Sequence, residues 1–174
     1  MNTGIFFGST TGNTEMVSEM IGKYFDNVSI EYIEVLDQNY IDKLDLIIFG
    51  IPTWNIGELE SSWEDFFPNL DNLDFSNTVV AIFGLGDQFS YEDTFQDAMG
   101  ILFEKLKEKN VKMIGTWSTT GYSFAESLAV RNGKFVGLAL DEETQREKTE
   151  SRIEKWVTQV KKEYEDILKT NLVL

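Results

Sequence analysis

The chain has 174 residues, of which 30 are acidic and 15 basic, for a formal charge of −15, and it contains neither Cys nor His. Without Cys there is no disulfide, thiolate nucleophile or iron–sulfur ligation, and without His the commonest acid–base group and metal ligand is gone, which argues against a hydrolase or zinc enzyme. Nucleic acid and anionic membranes reward clustered Lys and Arg and are poor partners, whereas a protein with a basic face is favoured. The length suits one domain spanning 1–174, and a monomer is expected. No apolar run approaches a membrane span and the acidic N-terminal segment does not read as a signal peptide, so no membrane insertion and a cytoplasmic location are expected.

Strand-like and helix-like segments alternate along the chain, which predicts an α/β domain with a parallel sheet. The first strand is expected over 3–8 and ends in Gly8-Ser9-Thr10-Thr11-Gly12-Asn13-Thr14. Four hydroxyls, an amide and two glycines at a strand-to-helix junction suit a phosphate group, through backbone N–H donors and the positive end of a helix dipole. There is no Lys as in a nucleoside-triphosphate loop and no Gly-x-Gly-x-x-Gly as for a dinucleotide, so a single terminal phosphate without a counter-ion fits best. A plain capped helix start needs only one such residue. The helix that follows carries Met16, Val17, Met20, Ile21, Tyr24 and Phe25 at helical spacing.

Further strands are expected over 28–35, 46–50, 79–84 and 111–115, with short helices near 41–44 and through 59–67. A fourth amphipathic stripe runs Phe95, Ala98, Met99, Leu102 and Leu106, and the last runs Ile153, Trp156, Val157, Val160, Tyr164, Ile167 and Leu168. Residues 116–138 break the alternation and read as a loop that interrupts the fifth strand, with 136–140 returning to the sheet edge. The expected architecture is a doubly wound five-stranded parallel sheet of order 2-1-3-4-5 with helices on both faces. Its ligand belongs outside the carboxyl ends of the strands. Two more loops meet that description, Pro52-Thr53-Trp54-Asn55-Ile56-Gly57-Glu58-Leu59 and Gly84-Leu85-Gly86-Asp87-Gln88-Phe89-Ser90-Tyr91. Each places one aromatic in a turn, and Trp54 and Tyr91 would flank a slot suited to a flat heteroaromatic ring. Trp63 and Trp156 lie on apolar helical faces and read as core. The apolar end Leu172-Val173-Leu174 is assigned no role.

Together with Arg131-Asn132-Gly133-Lys134-Phe135-Val136-Gly137-Leu138, these motifs make the whole chain resemble a flavodoxin of the long-chain group, the stretch 116–138 marking that group. The resemblance implies non-covalent FMN and one-electron carriage, with no substrate of its own, between a low-potential donor and an acceptor such as a ferredoxin–NADP reductase or a photosystem. It also implies that Ser9, Thr10, Thr11, Gly12, Asn13 and Thr14 hold the FMN phosphate. Trp54 and Tyr91 would sandwich the ring, Thr53 would join the cofactor contacts, and Asn55, Ile56 and Gly57 would line the N5 edge. Gly86, Asp87, Gln96 and Asp97 would approach the pyrimidine and ribityl side, and Glu58, Glu60, Asp65, Glu92 and Asp93 would be docking charges. An FMN-dependent quinone or azo reductase is the alternative on the same fold. A phospho-accepting receiver domain needs an Asp after the third strand and a Lys after the fifth, and Gly50-Ile51-Pro52 and Gly115-Thr116-Trp117 supply neither.

Charge gives an independent expectation. No Lys or Arg stands between Lys43 and Lys105 while twelve acids do, and the first cation after the N-terminus is Lys23. A second electron on the flavin would therefore meet uncompensated negative charge, and the second reduction step should be strongly reducing. In the turn Trp54-Asn55-Ile56-Gly57, a reorienting peptide needs φ > 0 at a central residue, and Asn55 tolerates it where β-branched Ile56 does not.

Overall fold

The computed structural model describes residues 1–171, and Leu172-Val173-Leu174 lies outside the described residues. In chain order the elements are β1 (Thr3–Phe7), α1 (Asn13–Gly22), β2 (Val28–Tyr32), α2 (Gln38–Ile41), β3 (Leu46–Trp54), β4 (Glu58–Leu59), α3 (Ser61–Phe66) and β5 (Val79–Leu85). They continue with α4 (Asp97–Glu108), β6 (Lys112–Ile114), β7 (Trp117–Ser118), β8 (Val130–Arg131), β9 (Lys134–Phe135), β10 (Leu138–Leu140) and α5 (Thr149–Asn171). No helix among the described residues is long and apolar enough to cross a membrane.

The main sheet runs β2-β1-β3-β5 with all four strands parallel, Ile5 pairing with Ile30 on one side and Ile48 on the other. Both β6 and β10 pair in parallel with β5. Lys112 to Ile114 lie opposite Val79 to Ala81, and Leu138 to Leu140 opposite Phe83 to Leu85. The fifth position is thus one strand in two pieces, interrupted as expected. Helices cover both faces, so the central strands are apolar throughout and successive side chains enter opposite halves of the core. Phe6, Ile47, Phe49, Ile51, Val80 and Ile82 meet Trp63, Met99 and Leu102 from α3 and α4. Ile5, Leu46, Ile48, Ala81 and Phe83 meet Val17 and Ile21 of α1 and Ile153 and Trp156 of α5. The two core tryptophans each anchor a strand, Trp63 Nε1 donating to the Gly50 carbonyl midway along β3 at 2.8 Å and Trp156 Nε1 to that of Gly115, just past β6, at 2.7 Å.

Several boundaries differ from those expected. β3 continues to Trp54, because its last residues keep partners on both sides, Pro52 beside Leu85 and Thr53 and Trp54 beside β4. β2 stops at Tyr32, where an edge strand with one neighbour gives way to a 3₁₀ turn over Ile33–Val35. The short helix expected near 41–44 lies at Gln38–Ile41, set by Asp37, whose carboxylate accepts from Tyr40 N at 2.8 Å. Phe95 is buried but precedes α4, since Gln96 at φ +65° cannot be helical.

Residues 116–138 are not structureless. β7, β9 and β8 form a small antiparallel sheet, with Trp117 opposite Phe135. Tyr122 fastens it to the main sheet: its hydroxyl accepts from Trp117 Nε1 at 2.9 Å and donates to the Ala139 carbonyl, while the Arg152 guanidinium lies 4.0 Å from its ring centre. Burial pushes the Tyr122 phenol up to about 12, partly opposed by Arg152. Tyr122→Phe leaves a donor and an acceptor unmatched and should cost about 1–3 kcal/mol in urea denaturation. A loss below about 0.5 kcal/mol, within the range of neutral surface changes, would show that the hydroxyl is no anchor.

Candidate functional site

The carboxyl ends of β1, β3 and β5 open onto a cavity of about 370 Å³, lined by Ser9, Thr10, Thr11, Asn13, Thr14, Pro52, Thr53, Trp54, Asn55, Leu85, Gly86, Asp87, Tyr91, Glu142 and Glu143. It lies where the chain order of the sheet reverses, between β1 and β3. Its volume is in the range of small-ligand sites, about 300–1,000 Å³.

One wall is the loop between β1 and α1. Gly12, at φ +86°, occupies the N-cap position of α1 and supplies no side-chain cap. Among the described residues, the backbone N–H groups of Thr10, Thr11, Asn13, Thr14 and Glu15 find no acceptor, while that of Gly12 donates to Ser9 Oγ at 3.1 Å. A run of unmatched donors at a helix start is an anion cradle. The Thr10 hydroxyl does not add to it, since it donates to Glu60 Oε1 at 2.7 Å.

The end of β3 supplies Trp54, and the loop after β5 supplies Tyr91. That loop is shaped by Asp87, whose Oδ1 accepts from the backbone N–H groups of Phe89 and Ser90, each at 2.9 Å. Burial raises the Asp87 carboxyl, but Ser90 and Phe89 outweigh it and hold it below the usual carboxylate range. The loop is held from behind by Asp141, fully buried at the end of β10, which accepts from Gln88 N at 3.1 Å and Gln88 Nε2 at 2.8 Å. In the turn after β3, Asn55 has φ +45° and Gly57 φ +85°, and Ile56 is not among the residues with positive φ. The Asn55 amide donates to Glu58.

The cavity thus gathers Ser9, Thr10, Thr11, Asn13, Thr14, Thr53, Trp54, Asn55, Gly86, Asp87 and Tyr91 of the residues singled out in the sequence. Gly12, Ile56, Gly57, Gln96 and Asp97 do not line it. Gly12 turns the loop through its positive φ, and Ile56 is 78% exposed. Gln96 is fully buried and donates from Nε2 to the Leu140 carbonyl at 2.9 Å. Asp97 starts α4, accepts from Leu128 N at 2.7 Å, and has Oδ2 so near Gly57 that a Cβ there would lie 2.9 Å away. Both therefore support the loops from inside the fold. Glu60, expected as a docking charge, is 2% exposed and folded under the phosphate loop, because it caps α3 by accepting from Ser62 N at 3.0 Å. Glu58, Asp65, Glu92 and Asp93 are exposed.

Glu142 and Glu143 were missed. They follow β10, at the carboxyl end of the edge strand; 136–140 is expected to return to the sheet edge, and the same rule applied to the loop after it would have made a fourth ligand loop. With Asp87 they make the charged lining wholly acidic. The guanidinium that approaches is that of Arg146, 3.4 Å from Glu142 Oε2 and 3.9 Å from Met16 Sδ on α1.

An anion cradle at a helix start, beside a slot with an aromatic residue from each of two loops, defines a doubly wound protein built for a mononucleotide. The flavodoxin family pattern matches residues 5–156. A flavodoxin of Nostoc sp. (strain PCC 7120) is 48% identical over 163 residues, covering 92% of this chain and 96% of that one. A flavodoxin of Synechocystis sp. (strain PCC 6803) is 50% identical over 163 residues, covering 91% and 95%. The crystal structure of Fusobacterium nucleatum flavodoxin bound to flavin mononucleotide superposes with a TM-score of 0.87 at 32% identity, covering 93% of this chain and 98% of that one. The chain belongs to the flavodoxin family, with the length of its long-chain group. Flavodoxin is itself a common illustration of ligand binding at the switch point of such a sheet.

Burial pushes the Asp97 carboxyl above its ordinary range and Glu126 adds to this, against the bond from Leu128. A carboxyl raised in the folded state weakens folding once it ionises, and that cost disappears as pH falls to the unfolded value near ~4. Asp97→Asn keeps an acceptor for Leu128 and should raise the melting temperature of the apoprotein at pH 7, the gain shrinking towards pH 4. An equal change at both values would show that the charge of Asp97 is not what burial opposes.

Proposed function

We propose that this chain binds FMN non-covalently in the cavity described above and carries single electrons at low potential between a donor and a basic-faced acceptor, such as a ferredoxin–NADP reductase or a photosystem. The observation that carries this reading is the meeting, in one cavity, of the unmatched N–H groups at the start of α1 with Trp54 and Tyr91. FMN bound there supplies the one-electron redox chemistry. The chain's own residues hold, shield and bias it.

Backbone donors of Thr10, Thr11, Asn13 and Thr14, with the side chains of Ser9, Thr11, Asn13 and Thr14, form the phosphate seat. Trp54 and Tyr91 are the ring-binding surfaces, and Thr53, Gly86 and Asp87 lie along the rest of the lining. Thr53 also accepts from Ala98 N at 3.2 Å, which ties the ring slot to the start of α4. Negative charge added to the ring meets Asp87, Glu142 and Glu143 with no Lys or Arg in the lining, and partly screened charges several ångströms apart repel by about 1–4 kcal/mol. This disfavours the second electron more than the first. In the turn after β3, the Asn55 carbonyl is the acceptor available for a proton at the N5 edge, and Asn55 already carries the positive φ.

The docking face follows from exposure. Ile56, Phe89 and Tyr91 are 78%, 65% and 45% exposed, with Glu58, Glu92 and Asp93 exposed in the same loops. An apolar spot within an acidic surround suits a partner with a basic rim.

FMN added to the purified apoprotein should bind one to one, and stepwise anaerobic reduction should pass through a one-electron-reduced flavin with long-wavelength absorbance. Direct passage to the two-electron form would favour the quinone or azo reductase reading, and no binding would overturn the assignment of the cavity. Asn55→Gly removes a left-handed residue worth about 1 kcal/mol and should raise the fraction held at the one-electron level. An unchanged fraction would show that the Asn55–Ile56 peptide does not reorient.

A further inference from the structure

Glu60 is the one predicted docking charge that the fold buries, and it lies against the phosphate seat. It is 2% exposed, and three donors converge on its carboxylate: Thr10 Oγ1 at 2.7 Å, Ser61 Oγ at 3.1 Å and Ser62 N at 3.0 Å. It packs so closely under Gly8 that a Cβ there would lie 2.4 Å from Glu60 Oε2. Gly8 and Thr10 enclose Ser9, and Ser9 and Thr10 both line the cavity. No Lys or Arg precedes Lys23 in this part of the chain.

A hydroxyl has one proton to give. The Thr10 proton is committed to Glu60, so a lone pair of Thr10 Oγ1, rather than its hydrogen, is left for anything bound at the loop. Behind that oxygen stands the buried Glu60 carboxylate, with no Lys or Arg paired to it among the described residues. A phosphate dianion in the seat therefore loses a donor and gains a repulsive neighbour, while the uncharged ring and ribityl chain of a flavin are indifferent to both.

We propose that Glu60 is a positioning residue that withholds the Thr10 hydroxyl from the phosphate and so sets how strongly this chain prefers a phosphorylated flavin over an unphosphorylated one. The inference rests on the cavity being the FMN site. Replacing Glu60 by its amide reverses the bond to Thr10. The carbonyl oxygen of the amide can keep the Ser62 cap while its NH₂ donates to Thr10 Oγ1, which frees the hydroxyl hydrogen to point at the phosphate.

The test measures dissociation constants of FMN and of riboflavin for the wild-type apoprotein, Glu60→Gln and Glu60→Ala, by quenching of flavin fluorescence. Glu60→Gln should tighten FMN by about tenfold, the loss of one partly screened repulsion, and leave riboflavin within about twofold. Glu60→Ala, which loses the α3 cap but also the charge, should shift the FMN-to-riboflavin ratio in the same direction by less. Agreement of melting temperatures between wild type and Glu60→Gln checks that the cap is kept. FMN bound no more tightly by either variant, or riboflavin tightened as much as FMN, would overturn the role of Glu60. A wild-type protein that binds neither flavin would instead overturn the assignment of the cavity.

Discussion

The backbone N–H groups that start α1 are the constraint on which the rest of the site depends. Those of Thr10, Thr11, Asn13, Thr14 and Glu15 have no acceptor among the described residues, and Gly12 at the N-cap has no side chain to offer one. Unmatched donors at a helix end are costly to bury and are normally met by a cap, by water or by a ligand. Here four of the residues that carry them, Thr10, Thr11, Asn13 and Thr14, line a cavity. Because β1 pairs with β3 and β3 with β5, the same loop is fixed relative to the ends of β3 and β5, which bring Trp54 and Tyr91.

The binding surface is therefore made of dipoles and hydroxyls instead of cations, and its surroundings are acidic. A dipole-lined seat can hold a phosphate without neutralising it, since backbone N–H groups and a helix terminus supply only partial positive charge. Asp87 and Glu143 in the lining and Glu60 beneath it act in one direction, against further negative charge, whereas Glu142 is paired with Arg146. Cofactor retention and strong reducing power pull against each other in such a site.

Support for the loops comes from buried carboxylates that are bonded within the fold. Asp141 ties the end of β10 to the loop carrying Tyr91 through Gln88, whose Oε1 accepts in turn from Ser123 N at 2.6 Å in the inserted segment. Asp97 joins the start of α4 to that segment through Leu128 and presses on Gly57 in the turn after β3. The segment between β7 and β8 is thereby bonded to the loop after β5 and to the start of α4, beyond the Tyr122 anchor on β10. The insertion completes the edge of the sheet and braces the site.

Strand runs, helical stripes and the loop after β1 are legible in the sequence because their physical basis is local. Apolar alternation, three- and four-residue spacing and turn residues act between near neighbours. The same holds for Asn55, whose tolerance of positive φ is a property of the residue itself. Which polar residues face the cavity is not legible in this way. Gln96 and Asp97 sit in a loop that reaches the site yet turn inward to Leu140 and Leu128, and Glu60 closes on Thr10, fifty positions away. Glu142 and Glu143 enter the lining only because β10 returns to the edge of β5. The central strands, the loop after β1 and the two aromatic residues of the cavity could be read from neighbouring residues alone. Which carboxylates line the cavity and which hold the loops depends on hydrogen-bond partners brought together from distant parts of the chain, and so is settled only by the folded structure.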